Sequence, residues 1–98
     1  MGYAEEKVDN ARRILGRNRG GKRQALLDAF VEIVPVRDSD LPASLRADFV
    51  ALRSSLTAAE PKANEGRARA TIEAMSDLQV DTAIASVRSL AETLLHQR

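Results

Sequence analysis

The stretch LPASLRADFVALRSSL, residues 41–56, decides the fold. Leu45, Phe49, Leu52 and Leu56 return at +4, +3 and +4, which is one face of an α-helix and no face of a strand. Pro42 suits the first turn, where a missing N–H costs nothing, with Asp40 or Leu41 before it as the cap. Pro61 stops the chain and pushes Glu60 out of helical geometry. The spacing predicts a helix over about 42–59 and a loop over 60–66.

The same period extends outward in both directions. Upstream, Ala4, Val8, Ala11 and Leu15 predict a helix over about 3–15. Glu5 and Glu6 lie in its first turn and Arg12 and Arg13 in its last, which suits the helix dipole. Gly16 is placed to close it in the left-handed conformation. Residues 16–21, Gly-Arg-Asn-Arg-Gly-Gly, read as a loop. A second helix is expected over about 22–34, with one apolar stripe of Leu26, Phe30 and Ile33 and another of Leu27, Val31 and Val34. Two stripes imply a helix more buried than its neighbours. Pro35 ends it, and residues 35–40 read as a loop.

Downstream, Ala68, Ile72 and Met75 predict a short helix over about 67–75. Ser76 and Gln79 then form a capping box for the longest element, over about 77–95. Its stripe is Val80, Ile84, Val87, Ala91 and Leu94, widened by Ala83 and Leu90. No alternating pattern of strand type persists. The expected fold is all-α, a compact bundle of four to five short helices, roughly up-and-down, in a single domain over 1–98. The expected core is Val8, Leu15, Leu26, Phe30, Ile33, Leu45, Phe49, Leu52, Leu56, Ile72, Val80, Ile84, Val87 and Leu94.

Composition narrows the function. The chain has 98 residues, 44% hydrophobic and 30% charged, which suits a folded domain rather than a disordered tail. Fifteen Lys and Arg against fourteen Asp and Glu give a net charge of +1. That balance argues against a chain that binds nucleic acid or membrane over its whole surface. There is no Cys, which removes disulfides, thiolate metal sites and a thiol nucleophile. The N-terminal residues lack the basic-then-apolar order of a signal peptide. The longest apolar runs, such as Ile33-Val34-Pro35-Val36, are far too short to span a bilayer, so no membrane partner is expected. The expected compartment is the cytoplasm.

Charge is nonetheless uneven. Residues 1–26 carry seven basic and three acidic side chains, and residues 27–98 carry eight and eleven. Between 12 and 23 lie Arg12, Arg13, Arg17, Arg19, Lys22 and Arg23 with no acid among them. Cations around a glycine-rich loop at a helix start make a candidate anion or nucleic-acid contact. Solvated arginines that satisfy helix-end carbonyls are the plainer reading, because no aromatic side chain is interleaved to stack bases.

Other motifs fall short. Gly16 to Arg23 matches the start of a phosphate-binding loop, G-x-x-x-x-G-K, then puts Arg23 where Ser or Thr must hold magnesium. The helix start at Asp77 invites a helix-turn-helix reading, but Asp77 and Asp81 would face phosphate with the wrong sign. His96 is the lone histidine, near the end of the chain, with only Glu92 one turn away. Asp28 with Glu32, and Asp77 with Asp81, are carboxylate pairs one turn apart that read as solvated surface, and Glu65 with Arg69 reads as an ordinary ion pair. No catalytic residue, metal ligand or cofactor site is expected.

The leading expectation is therefore a small helical protein-interaction or oligomerisation module, of the scale of bacterial accessory or regulatory proteins and not an enzyme. Its candidate interface is Leu27 and Val31 on the second helix and Leu90 and Leu95 on the last, more apolar surface than one seam needs. The partner would be another protein or a second copy in a homodimer. The alternative is a nucleic-acid or anion binder acting through residues 12–23.

Overall fold

Small residues decide how the helices approach one another. The computed structural model describes residues 2–59 and 66–96. It contains α1 (Tyr3–Arg17), α2 (Lys22–Ile33), α3 (Ala43–Leu56), α4 (Arg67–Ala74) and α5 (Asp77–His96), with one 3-10 turn at Asp38–Asp40. The described residues contain no strand, and the architecture is a small all-α bundle. Ala4 and Ala11 on α1 and Ala25 and Ala29 on α2 are buried, so these two helices pack closely. The longest helix, α5, packs against α1, α2 and α3. In contrast α3 leans mainly on α4, α5 and the 3-10 turn.

The core follows the 3.6-residue stripes. Val8, Leu26, Ile33, Phe49, Leu56, Val80 and Val87 are almost wholly enclosed. Of the expected core, Ile84 alone is only partly buried. The radius of gyration, 12.8 Å, is what close packing gives a chain of this length, roughly 13 Å.

Several boundaries differ from expectation for local reasons. α1 runs through Gly16 to Arg17, and Asn18, not Gly16, takes the left-handed cap at φ 49°. Asn tolerates that conformation, and its own N–H reaches the Ile14 carbonyl at 3.2 Å. Gly20 and Gly21, at φ 75° and 91°, then turn the chain into α2, a backbone that a Cβ would strain. α3 starts after Pro42, which is itself the cap, and ends at Leu56 rather than 59. Asp40 belongs to the 3-10 turn, where its carboxylate accepts the Arg37 N–H at 3.0 Å. Glu60, Pro61 and Glu65, and with them the expected loop up to Gly66 and the Glu65–Arg69 pair, lie outside the described residues.

The second stripe of α2 is a correction. Val31 and Val34 stand 58% and 49% exposed, so α2 is not buried around its girth. The arc facing the bundle is completed by Ala25 and Ala29 instead. Val36, in the segment read as a loop, and Leu41, read as a candidate cap, are 1% and 2% exposed and belong to the core. Val36 is held there partly by Arg53, which donates to the carbonyls of Val34 and Val36, and the Leu41 carbonyl accepts from Arg46.

The junction between α4 and α5 is closed by the expected capping box. Ser76 Oγ accepts the Gln79 N–H at 3.1 Å, and Gln79 Oε1 accepts the Ser76 N–H at 2.8 Å. Ser76→Ala is expected to cost about 1 kcal/mol, read as a lowered midpoint in thermal unfolding; an unchanged midpoint would mean that water caps α5 equally well.

Candidate functional site

The basic segment does not form one cationic patch. Asp9 is largely buried and collects two of the six side chains, Arg12 at 2.6 Å and Arg13 at 3.0 Å. At the start of α2 the next pair turns inward to α5, where Lys22 meets Asp81 at 3.1 Å and Arg23 meets Asp77 at 3.0 Å. Arg23 also donates to the carbonyls of Ile72 and Met75, the latter at 2.7 Å. These are the end-of-helix carbonyls of α4, so its guanidinium acts as a cap supplied from another helix. The carboxylate pair Asp77 and Asp81 is accounted for in the same way, one cation to each.

Arg17 and Arg19 remain. Among the described residues neither takes part in an ion pair. With Ile14, Asp28, Val31 and Glu32 they line a depression of about 410 Å³ between α1 and α2. Glu32 accepts Asn10 Nδ2 at 3.0 Å and lies 4.0 Å from Lys7, and Asp28 accepts Gln24 Nε2 at 2.8 Å. Two carboxylates in the same depression oppose the accumulation of anions there.

The phosphate-loop resemblance dissolves in the fold. Gly16 is inside α1, and a helix, not a strand, precedes the glycines. His96 is the last residue of α5 and is exposed. Among the described residues no three His, Asp or Glu side chains gather as metal ligands. No helix among them is long and apolar enough to cross a membrane.

The four candidate interface residues do not share one face. Leu27 is half-buried against the core, and Val31 stands out on α2. Leu95 is half-buried near the end of α5. Leu90 is only 5% exposed, so it is a core side chain and not free surface. It nevertheless helps to line a concavity between α3 and α5.

That concavity is a groove of about 840 Å³ between α3 and α5. Leu45 and Leu52 from α3, and Ala83 and Leu90 from α5, are its buried lining residues. Above them the facing side chains are short: Ala51 and Ser55 on one side, Thr82, Ser86 and Ser89 on the other. Such side chains do not reach across, which leaves the concavity open above the core where α3 and α5 meet. Met75 and Leu78 mark one end, and Leu78 is 75% exposed, the most exposed large apolar side chain described. From Leu78 to Thr93 the groove follows α5 for about 22 Å at the helical rise.

Sequence reasoning passed over this site, because its walls are Ala, Ser and Thr at outward positions that read as solvated. The available signal was the return of Leu78, Thr82, Ser86, Ser89 and Thr93 at helical spacing with no charge among them. Comparison with family models, with curated proteins and with solved structures finds no match for this chain.

Proposed function

We propose that the protein is a non-enzymatic interaction module that binds another protein in the α3/α5 groove. The observation that carries this reading is the groove itself. It is open, about 840 Å³ in volume, and edged by an exposed leucine, while among the described residues Asp48 is the sole charged one lining it. A concavity with an apolar floor and a nearly uncharged wall of this kind gains free energy when a complementary surface displaces its water. Among the described residues the groove also offers no nucleophile with a paired base and no cluster of acids, which suits binding better than bond making.

Binding of nucleic acid or another anion through residues 12–23 has less support. Four of the six cations are held by carboxylates of the same chain, and the remaining two share a depression with Asp28 and Glu32. A chain without cysteine suits a reducing compartment, and the cytoplasm is the proposed location.

A photo-crosslinking amino acid placed at Ser86, on the groove wall, tests the reading against the same group at the exposed Arg37. The expected result is a discrete adduct from position 86 alone, whose partner, once purified, forms a complex with the unmodified protein. Equal labelling from both positions, or an adduct whose partner forms no such complex, would overturn it.

A further inference from the structure

We infer that the occupant of the α3/α5 groove is an amphipathic helix of a different protein, carrying a basic side chain opposite Asp48. This rests on the docking reading above and names the class of partner.

The first argument is hydrogen bonding. Both walls are helices, so their backbone N–H and C=O groups are already paired within α3 and α5. Three of the five wall hydroxyls are turned onto their own helices as well. Ser55 donates to the Leu52 carbonyl, Thr82 to that of Leu78 and Ser86 to that of Thr82, at 2.9 to 3.0 Å. An extended segment laid in the groove would leave its backbone donors and acceptors without partners. A helix brings its own backbone bonds and presents only side chains.

Dimensions agree. A groove about 22 Å long matches roughly fifteen helical residues, four turns of an apolar stripe. Short wall residues let the incoming backbone come close while its larger side chains fill the space above Leu52 and Leu90.

Charge then sets a preference. Asp48 forms no ion pair among the described residues, because the neighbouring cations of α3 are directed elsewhere. Arg46 donates to the Leu41 carbonyl and Arg53 to those of Val34 and Val36. A Lys or Arg beside the partner's apolar stripe answers that carboxylate, and a Glu meets repulsion.

A second copy of this chain fits poorly. Two grooves face to face would enclose their concavities rather than fill them, whereas a stable dimer needs about 800 Å² of well-packed surface on each partner. Nor do the described residues supply a filling stripe. The exposed large apolar side chains are Tyr3, Val31, Val34, Val50 and Leu78, spread over α1, α2 with the turn after it, α3 and α5.

The test uses two displayed peptide libraries of about eighteen residues. One is helical, with stripe positions varied among Ala, Leu, Ile, Val, Met and Phe and flanking positions among Lys, Glu and Ser. The other has the same composition interrupted by two central prolines. The whole chain is the bait, and its own association is followed by sedimentation. The expected result is enrichment from the helical library only, with Lys favoured over Glu at one flank. Binding of the selected peptide falls at least tenfold on Ser86→Trp and about fivefold on Asp48→Lys, both at exposed positions where circular dichroism checks the fold. Enrichment of the proline-bearing peptides would overturn the helix and leave docking standing. A dimer broken by Ser86→Trp, with no peptide enriched, would put a second copy in the groove. No enrichment and no dimer would remove the docking reading itself.

Discussion

Phe49→Ala is expected to lower the thermal midpoint by roughly 15–30 °C, from a loss of about 3–5 kcal/mol in a domain of this size. Phe49 is 1% exposed and leads the fully enclosed side chains in volume. Truncating it forfeits its transfer from water and leaves a cavity that α3, leaning on few neighbours, cannot wholly close. The ring also carries the Arg53 guanidinium at 4.7 Å from its centroid. That guanidinium ties down the carbonyls of Val34 and Val36, so the mutation loosens the turn after α2 as well. Calorimetry of the purified variant reads the effect directly. An unchanged midpoint would take α3 out of the core, and the groove with it.

The second large effect is expected at Arg23. Arg23→Met keeps the aliphatic stem and removes the donors that meet Ile72, Met75 and Asp77. The ion pair contributes little, because the Asp77 side chain is 79% exposed and solvent screens it. The loss comes from the carbonyls at the end of α4, where Met75 loses its Arg23 donor and Ile72 keeps only the Met75 N–H at 3.2 Å, and amounts to about 1–3 kcal/mol in urea unfolding. Arg23→Lys is expected to recover little of it, since a single ammonium cannot span two carbonyls and a carboxylate as a planar fork does. Faster amide exchange should appear in residues 72–79, which form one end of the groove. Full stability of the lysine variant would show that the fork geometry is unimportant.

These residues illustrate what periodicity could convey. Phe49 belongs to a stripe with Leu45, Leu52 and Leu56, and such a stripe is legible because helical burial repeats every three to four positions. Val36 carries no such repeat, so its burial was invisible, and Leu41, although four positions before Leu45, precedes the helix that the stripe marks. They are core residues because the tertiary fold brings the turn down onto α3. Arg23 had a local meaning as one of six clustered cations. Its actual partners lie 49 to 54 positions away, and no short-range pattern encodes that distance.

The same division runs through the candidate site. The charge excess of residues 12–23 is a property of the chain, but its cancellation is a property of the fold. Asp9 sits one turn from Arg12 and Arg13 and could be paired by spacing alone, whereas Asp77 and Asp81 meet Arg23 and Lys22 only once α2 and α5 are packed. Leu90 reads as surplus apolar surface in isolation and is enclosed once α3 lies beside it. The groove is the opposite case, since outward Ser, Thr and Ala residues that suggest plain solvated surface become the walls of a concavity.

Backbone hydrogen bonding and the burial of regularly spaced apolar side chains act over one or two helical turns. The order of residues therefore determined, without further help, an all-α bundle of four to five helices with Pro35, Pro42 and a Ser76 cap as punctuation, and the described residues hold five. Which cations are neutralised, which loop side chains are buried and where two helices stand apart depend on elements far separated in the chain. Contact and screening are sums over neighbours in space, and those neighbours exist only after the helices have packed.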